Sequence, residues 1–272
     1  MLAGTGPTLV LVHTLRTQLD LFQRVFPLLA SRYRVYALDL PGHGYSDIPA
    51  VDYTSDLFVG KIAGFIEALA LDDVTLVGES IGGTSALGLA ARRHPRVGSV
   101  VAINAYDYDR GRGVERGSVI ARLVFSINDV PVLGGTIMRL RSYPVMTAIL
   151  NGGLHRLASL PGDLAREMYR VGNRAGHYRG FMSLVHHWPS WERERDAYAR
   201  IDVPVLLIYG DHDWSRPEER AETAGRIAGA RVLTVTRGGH FLAFDAPRET
   251  GDAIATFVDG IHAAGVGERY SS

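Results

Sequence analysis

The stretch Val74-Thr75-Leu76-Val77-Gly78-Glu79-Ser80-Ile81-Gly82-Gly83 decides the fold. Residues 74–78 form a short apolar run of the kind that builds a buried parallel strand. Residues 81–93 are rich in alanine and leucine and stop just before Pro95, which predicts a helix. Ser80 stands between the two. A serine hydroxyl is a poor nucleophile unless a base takes its proton and the chain presents it to substrate. Glycines two residues before and two after Ser80 let the backbone turn from strand to helix without a Cβ clash. That turn lifts Oγ above the sheet edge, at the positive end of the helix. Gly-x-Ser-x-Gly is common in plain loops, so the strand and helix around it are what make Ser80 a nucleophile.

On both sides of this unit, apolar runs alternate with helical patterns, the signature of a mostly parallel sheet with helices on both faces. Strands are predicted over 8–13, 34–40, 74–78, 97–104, 203–209 and 231–235, and helices over 18–31, 54–70, 81–93 and 247–263. Thr54 or Ser55 suits the N-cap of the second helix. The tail 265–272 reads as frayed and polar. From 106 to 200 the rhythm breaks: the stretch is amphipathic and arginine-rich, and it is too long for a structureless loop. It is expected to be a helical cap inserted into a core made of 1–105 and 201–272. Its arginines, among them Arg110, Arg116, Arg139, Arg141, Arg170, Arg174 and Arg179, either coat a solvated surface or line an entrance for an acidic substrate.

Composition narrows the partners. The 29 Lys and Arg are balanced by 29 Asp and Glu, which gives no reason to expect nucleic acid or an anionic membrane. No stretch is apolar enough to insert in a bilayer. The absence of cysteine excludes disulfides and thiolate nucleophiles and suits a reducing compartment. With no secretory signal at the N-terminus, a cytoplasmic location is expected. A small-molecule substrate is the expected partner. Oligomeric state is left open, a homodimer included.

Ser80 needs a base and an acid that orients it. His240, in Gly238-Gly239-His240-Phe241 just after the last strand, hangs at the same sheet edge; the pair His186-His187 in the insertion is less well placed. For the acid, Gly210-Asp211-His212-Asp213 follows the preceding strand. Asp213 is favoured because three residues of turn let its side chain swing back over the sheet. Asp211, as a turn former, and Asp107, after the 97–104 strand, are the alternatives. Oxyanion donors are expected from the backbone N–H of Ile81 and, in the loop after the first strand, of Leu15.

These pieces resemble the α/β-hydrolase superfamily, in its form with a helical cap. The resemblance rests on Val10-Leu11-Val12-His13, Asp39-Leu40-Pro41-Gly42-His43-Gly44-Tyr45-Ser46, Gly78-Glu79-Ser80-Ile81-Gly82-Gly83, Gly210-Asp211-His212-Asp213 and Gly239-His240. It implies the chain order Ser, Asp, His, with no cofactor. Two departures stand out. Thr14 replaces the usual glycine after the first-loop histidine, narrowing that loop and placing a hydroxyl there. The short run before the first central strand implies that the family's N-terminal hairpin is absent or reduced. Related haloalkane dehalogenases and epoxide hydrolases use aspartate at the elbow, so Ser80 argues for acyl transfer instead.

The expected reaction is hydrolysis of a carboxylic ester, thioester or lactone of a small, moderately apolar substrate, as in a carboxylesterase. Cap side chains including Phe125, Ile137, Met138, Tyr143, Met146, Met182, Trp188 and Trp191 are expected to supply cap core and some pocket lining. Arg16 either pairs with a substrate carboxylate or lies on the surface, and Glu79 tucks under the elbow. Two alternatives keep the same residues. One is a carbon–carbon hydrolase of ring-cleavage diketo acids, and the other is a ligand receptor with negligible turnover. Histidine spacing offers no metal site, and no Gly-rich phosphate loop is present.

Overall fold

The computed structural model of the chain describes residues 1–128 and 142–269. Seven strands, β1 (Leu2–Ala3), β2 (Thr8–Val12), β3 (Arg34–Leu38), β4 (Val74–Glu79), β5 (Val97–Ile103), β6 (Val205–Gly210) and β7 (Arg231–Val235), form one sheet in the order β1-β3-β2-β4-β5-β6-β7. All neighbours are parallel except β1, which pairs antiparallel with β3 through Leu2 and Ala3. The expected N-terminal hairpin is thus reduced to a two-residue edge strand.

Alternation along each central strand feeds two cores. Val10, Val12, Leu76, Val100 and Leu207 pack on one face with α2 (Ser55–Ala68) and α3 (Ile81–Ala91). Leu9, Leu11, Val77, Val101 and Ile208 pack on the other with α1 (Phe26–Ala30) and the C-terminal helix Pro247–Arg269. Thr54 caps α2, its side chain accepting the Leu57 N–H.

Several boundaries differ from the sequence reading, each for a local reason. The helix expected over 18–31 is two short pieces, Leu19–Phe22 and α1. Pro27, without an N–H, fits only the first turn of a helix and so starts a new one. β3 stops at Leu38 because the next side chain, Asp39, turns to accept the N–H groups of Leu19 and Tyr45 at 2.8 and 2.9 Å. β6 begins only at Val205, after Pro204. The expected frayed tail is helical through Arg269, where no proline interrupts the ladder, while 270–272 lie outside the described residues.

Between β5 and β6 the described residues form helices and turns only, including α4 (Val119–Asn128), Tyr143–Asn151, Gly162–Val171 and His177–His186. Among the described residues no helix is long and apolar enough to cross a membrane.

Candidate active site

Parallel strands bring their C-terminal ends to one edge, and there the candidate residues meet. Ser80 directly follows β4, and its backbone sits at φ 58°, ψ −119°, a region non-glycine residues rarely occupy. The turn is possible only because its flanks are bare. A Cβ on Gly78 would lie 2.2 Å from the Gly82 carbonyl oxygen, and one on Gly82 would lie 2.3 Å from that of Val12. The Ser80 N–H donates to Ile103 O at 2.8 Å, tying the elbow to β5.

His240 reaches Ser80 from the loop after β7. Its Nε2 lies 2.9 Å from Ser80 Oγ, and its Nδ1 lies 2.5 Å from Asp213 Oδ1. With Nδ1 protonated, His240 donates to Asp213 and accepts from the serine hydroxyl. Ser80, Asp213 and His240, named from chain order, are therefore brought into one hydrogen-bonded line. Burial opposes ionisation of Asp213. The nearby His240, together with the side-chain and backbone donors of Ser215, outweighs it and holds the carboxyl below its ordinary pKa.

The alternative acids lie elsewhere. Asp211 accepts the Gly238 N–H at 3.1 Å and so pins the acid loop to the base loop. Asp107 is buried against Thr223, whose hydroxyl donates to both carboxylate oxygens at 3.1 Å. Burial pushes its pKa up to about 6. Of the His186-His187 pair, His187 turns back to donate to Ser183 O at 2.7 Å.

Leu15 and Ile81 both line a cavity of about 40 Å³ with Ser80 and His240, as do Thr14 and Arg16. The loop carrying Leu15 is braced from behind. His13 donates from Nδ1 to Thr14 O at 2.8 Å and accepts the Leu40 N–H at Nε2, 2.9 Å away. Burial keeps this ring neutral, with its pKa lowered to about 4. Thr17 completes the turn, its hydroxyl donating to Thr14 O and accepting the Thr14 N–H. Arg16 has φ 62°, and its guanidinium lies 5.0 Å over the Phe181 ring, inside the site rather than on the surface.

The remaining lining is apolar or aromatic: Tyr106, Val114, Phe125, Ile149, Leu150, Trp214 and Phe241. Of the cap side chains named from sequence, Phe125 belongs to this wall. Met146, Trp188 and Trp191 are buried in the hydrophobic cores, and Tyr143 and Met182 pack partly buried against them. Ile137, Met138, Arg139 and Arg141 lie outside the described residues.

Glu79 is fully buried beneath the elbow, where one oxygen accepts the Ala243 N–H at 3.4 Å. Burial raises its carboxyl to a pKa of about 8, so it holds a proton at neutral pH.

Three neighbours of these residues have no counterpart in the sequence analysis. Trp214 stacks on His240. Asn104, at the end of β5, donates to the carbonyls of Gly239 and His240 and accepts the Gly210 N–H, joining the acid strand to the base loop. Asp245 accepts the Gly239 N–H on one side and His155 N–H, Arg156 N–H and Ser159 Oγ–H on the other. No motif marks them; only the position of Trp214 next to Asp213 hinted at a role. Among the described residues no group of three or more side chains is placed to hold a metal ion.

The comparisons agree with this architecture. The chain belongs to the alpha/beta hydrolase fold family, whose model matches residues 7–247. It is a hydrolase of that family. A 2-hydroxymuconate semialdehyde hydrolase of Pseudomonas sp. strain CF600 is 37% identical to it, across 98% of this chain and 88% of that protein. A 2-(acetamidomethylene)succinate hydrolase of Mesorhizobium japonicum is 27% identical, across 94% of this chain and 89% of that protein. Among solved structures, the enol-lactonase from Burkholderia xenovorans LB400 superposes with a TM-score of 0.76 at 23% identity, covering 95% of each chain.

Proposed function

We propose that this chain is a serine hydrolase that cleaves a carboxylic ester, thioester or lactone of a small, moderately apolar molecule through an acyl-enzyme. The observation that carries the reading is the line Ser80 Oγ, His240, Asp213, with distances of 2.9 and 2.5 Å, opening on a mainly apolar cavity. His240 Nε2 takes the Ser80 proton as Oγ attacks the carbonyl carbon. Asp213, held ionised, keeps the ring in the tautomer that makes this possible and favours the imidazolium that results. The oxyanion is received by the N–H groups of Ile81, at the start of α3, and of Leu15. His240 returns its proton to the leaving group. It then takes one from water as that water attacks the acyl carbon; the acyl–Oγ bond breaks, His240 hands the proton to Ser80 Oγ, and the acid leaves. In this reading 1–105 and 201–272 are the catalytic core and 106–200 the cap. The enzyme works on a small molecule in the cytoplasm, where a cysteine-free chain fits.

A second reading has the same residues hydrolyse a carbon–carbon bond in a diketo acid. It is favoured by the 37% identity to a 2-hydroxymuconate semialdehyde hydrolase and by Arg16, a cation suited to a substrate carboxylate, in the cavity wall.

Activity profiling with a fluorophosphonate tests the shared chemistry. Ser80 is expected to be labelled, and Ser80→Ala to lose labelling and turnover while its denaturation midpoint stays that of the parent. An active Ser80→Ala protein would end the mechanism. Comparing p-nitrophenyl butyrate, a thioester and a lactone with a vinylogous diketo acid separates the two readings by kcat/KM.

A further inference from the structure

Trp214 follows the proposed catalytic acid directly, and its indole lies flat on His240. The ring centroids are 3.8 Å apart and the planes are 11° from parallel. The indole is itself held in place: Nε1 donates to Gly152 O at 3.0 Å, and Arg116 donates to the Trp214 carbonyl at 2.9 Å. His240 therefore has Asp213 at Nδ1, Ser80 at Nε2 and an indole face against its ring. Tyr106 meets the imidazole edge-on, with ring centroids 5.7 Å apart and planes inclined by 69°.

We propose that Trp214 is a positioning residue that fixes the plane of His240 and, through its π face, stabilises the imidazolium formed when Ser80 attacks. The proposal rests on reading Ser80 and His240 as nucleophile and base. In that step the Ser80 Oγ–H bond breaks, a bond from Oγ to the electrophile forms, and the proton goes to His240 Nε2. A neutral ring thereby becomes a cation against the face of an indole, the aromatic group with the strongest attraction for cations. Because the charge develops only on the way to the transition state, the attraction lowers the barrier rather than tightening the ground state. His240 is 1% exposed while Trp214 is half-buried, so the imidazole side of the stack is shielded from water, which strengthens the electrostatic part.

Other ionisable groups also bear on the ring. Asp213 sits at Nδ1, Glu79 lies below through Ala243, Asp245 holds the Gly239 N–H, and Arg16 lines the same cavity. A change confined to the indole's electrons leaves all of these in place, which makes it a clean probe.

The test is site-specific replacement of Trp214 by tryptophans carrying successively more fluorine, which weakens the π face and keeps the shape. The readouts are the second-order rate of Ser80 phosphonylation by a fluorophosphonate and the pH profile of kcat/KM for p-nitrophenyl butyrate. Both rates are expected to fall stepwise with fluorination, by about tenfold over the series. The acid limb of kcat/KM should move to lower pH, because a weaker π face favours the protonated ring less. Trp214→Phe is expected between the parent and Trp214→Leu. Equal rates and an unmoved acid limb along the fluorinated series, with loss only in Trp214→Leu, would reduce Trp214 to packing and overturn the proposal. A parent protein that fails to label at Ser80 would instead remove the nucleophile reading and this proposal with it, a different result from a labelled parent with a flat series.

Discussion

The strand ends that carry Ser80, Asp213 and His240 are held differently from the segment between β5 and β6. At the strand ends backbone touches backbone. An added Cβ would meet a carbonyl oxygen at 2.2 Å from Gly78, 2.3 Å from Gly82 and 2.3 Å from Gly210. The intervening segment packs into the cores through side chains such as Trp188 and Trp191, and along its rim it is also fastened by polar side chains. Arg174 donates to Ser46 O at 2.7 Å, Arg179 to Pro49 O at 3.2 Å, and Arg170 and Glu167 both engage the Tyr45 hydroxyl. Arg116 pairs with Glu219 and Asp109. Of the arginines read as either a solvated surface or an entrance, Arg116, Arg170, Arg174 and Arg179 bond other side chains or carbonyls of the chain. Close backbone contact has no slack, so it can set a geometry good to tenths of an ångström. Exposed ion pairs trade readily with water, so they fix position more loosely.

Substitutions on the two sides should respond accordingly. Gly82→Ala is expected to do the most damage, because its methyl group would be driven into the end of β2. A stability loss on the order of 3 kcal/mol, or failure to fold, should appear in urea denaturation. An unchanged midpoint would mean the approach of β2 to the elbow is not rigid.

Next comes a pH effect at the same elbow. The folded chain raises Glu79 to about 8, whereas the unfolded chain releases that proton near the ordinary glutamate value of 4.5. Stability from the neutral form is therefore complete at pH values below the unfolded pKa and is lost as pH rises through the folded one. Glu79→Gln, which cannot ionise, should flatten the fall of Tm between those two pH values. If parent and variant fall in parallel, the buried carboxyl is already ionised. The smallest effect is expected in the fastened segment. Arg170→Ala, at an exposed arginine paired with a half-buried Glu167, should leave the denaturation midpoint where it is, and a clear drop would show that the latches hold more than position.

Much of this contrast was readable in the sequence, and the part that was not has a physical cause. Short continuous apolar runs marked the central strands, since a parallel strand buried on both faces tolerates little else. Ser80, Asp213 and His240 could be placed because their spacing from strand ends is a covalent constraint. The helix expected over 18–31 failed at Pro27, where apolar periodicity outweighed the missing N–H in the reading but not in the chain. Asn104, Trp214 and Asp245 act on partners up to 136 residues away, and no local pattern announces such contacts. The cavity lining was hidden for the same reason: Phe125 and Met146 are alike as buried apolar helix residues, and only packing gives Phe125 a face on the pocket as well.

Asp245 has a consequence for how such a chain can change over evolutionary time. Its one carboxylate serves the loop of His240 through Gly239 and the covering segment through His155, Arg156 and Ser159. A recombinant that swapped in a foreign segment without matching donors would leave a buried carboxyl group short of partners beside the loop of His240. Exchange of the covering segment therefore calls for matching donors to Asp245, whereas point changes in the cavity wall leave these bonds in place.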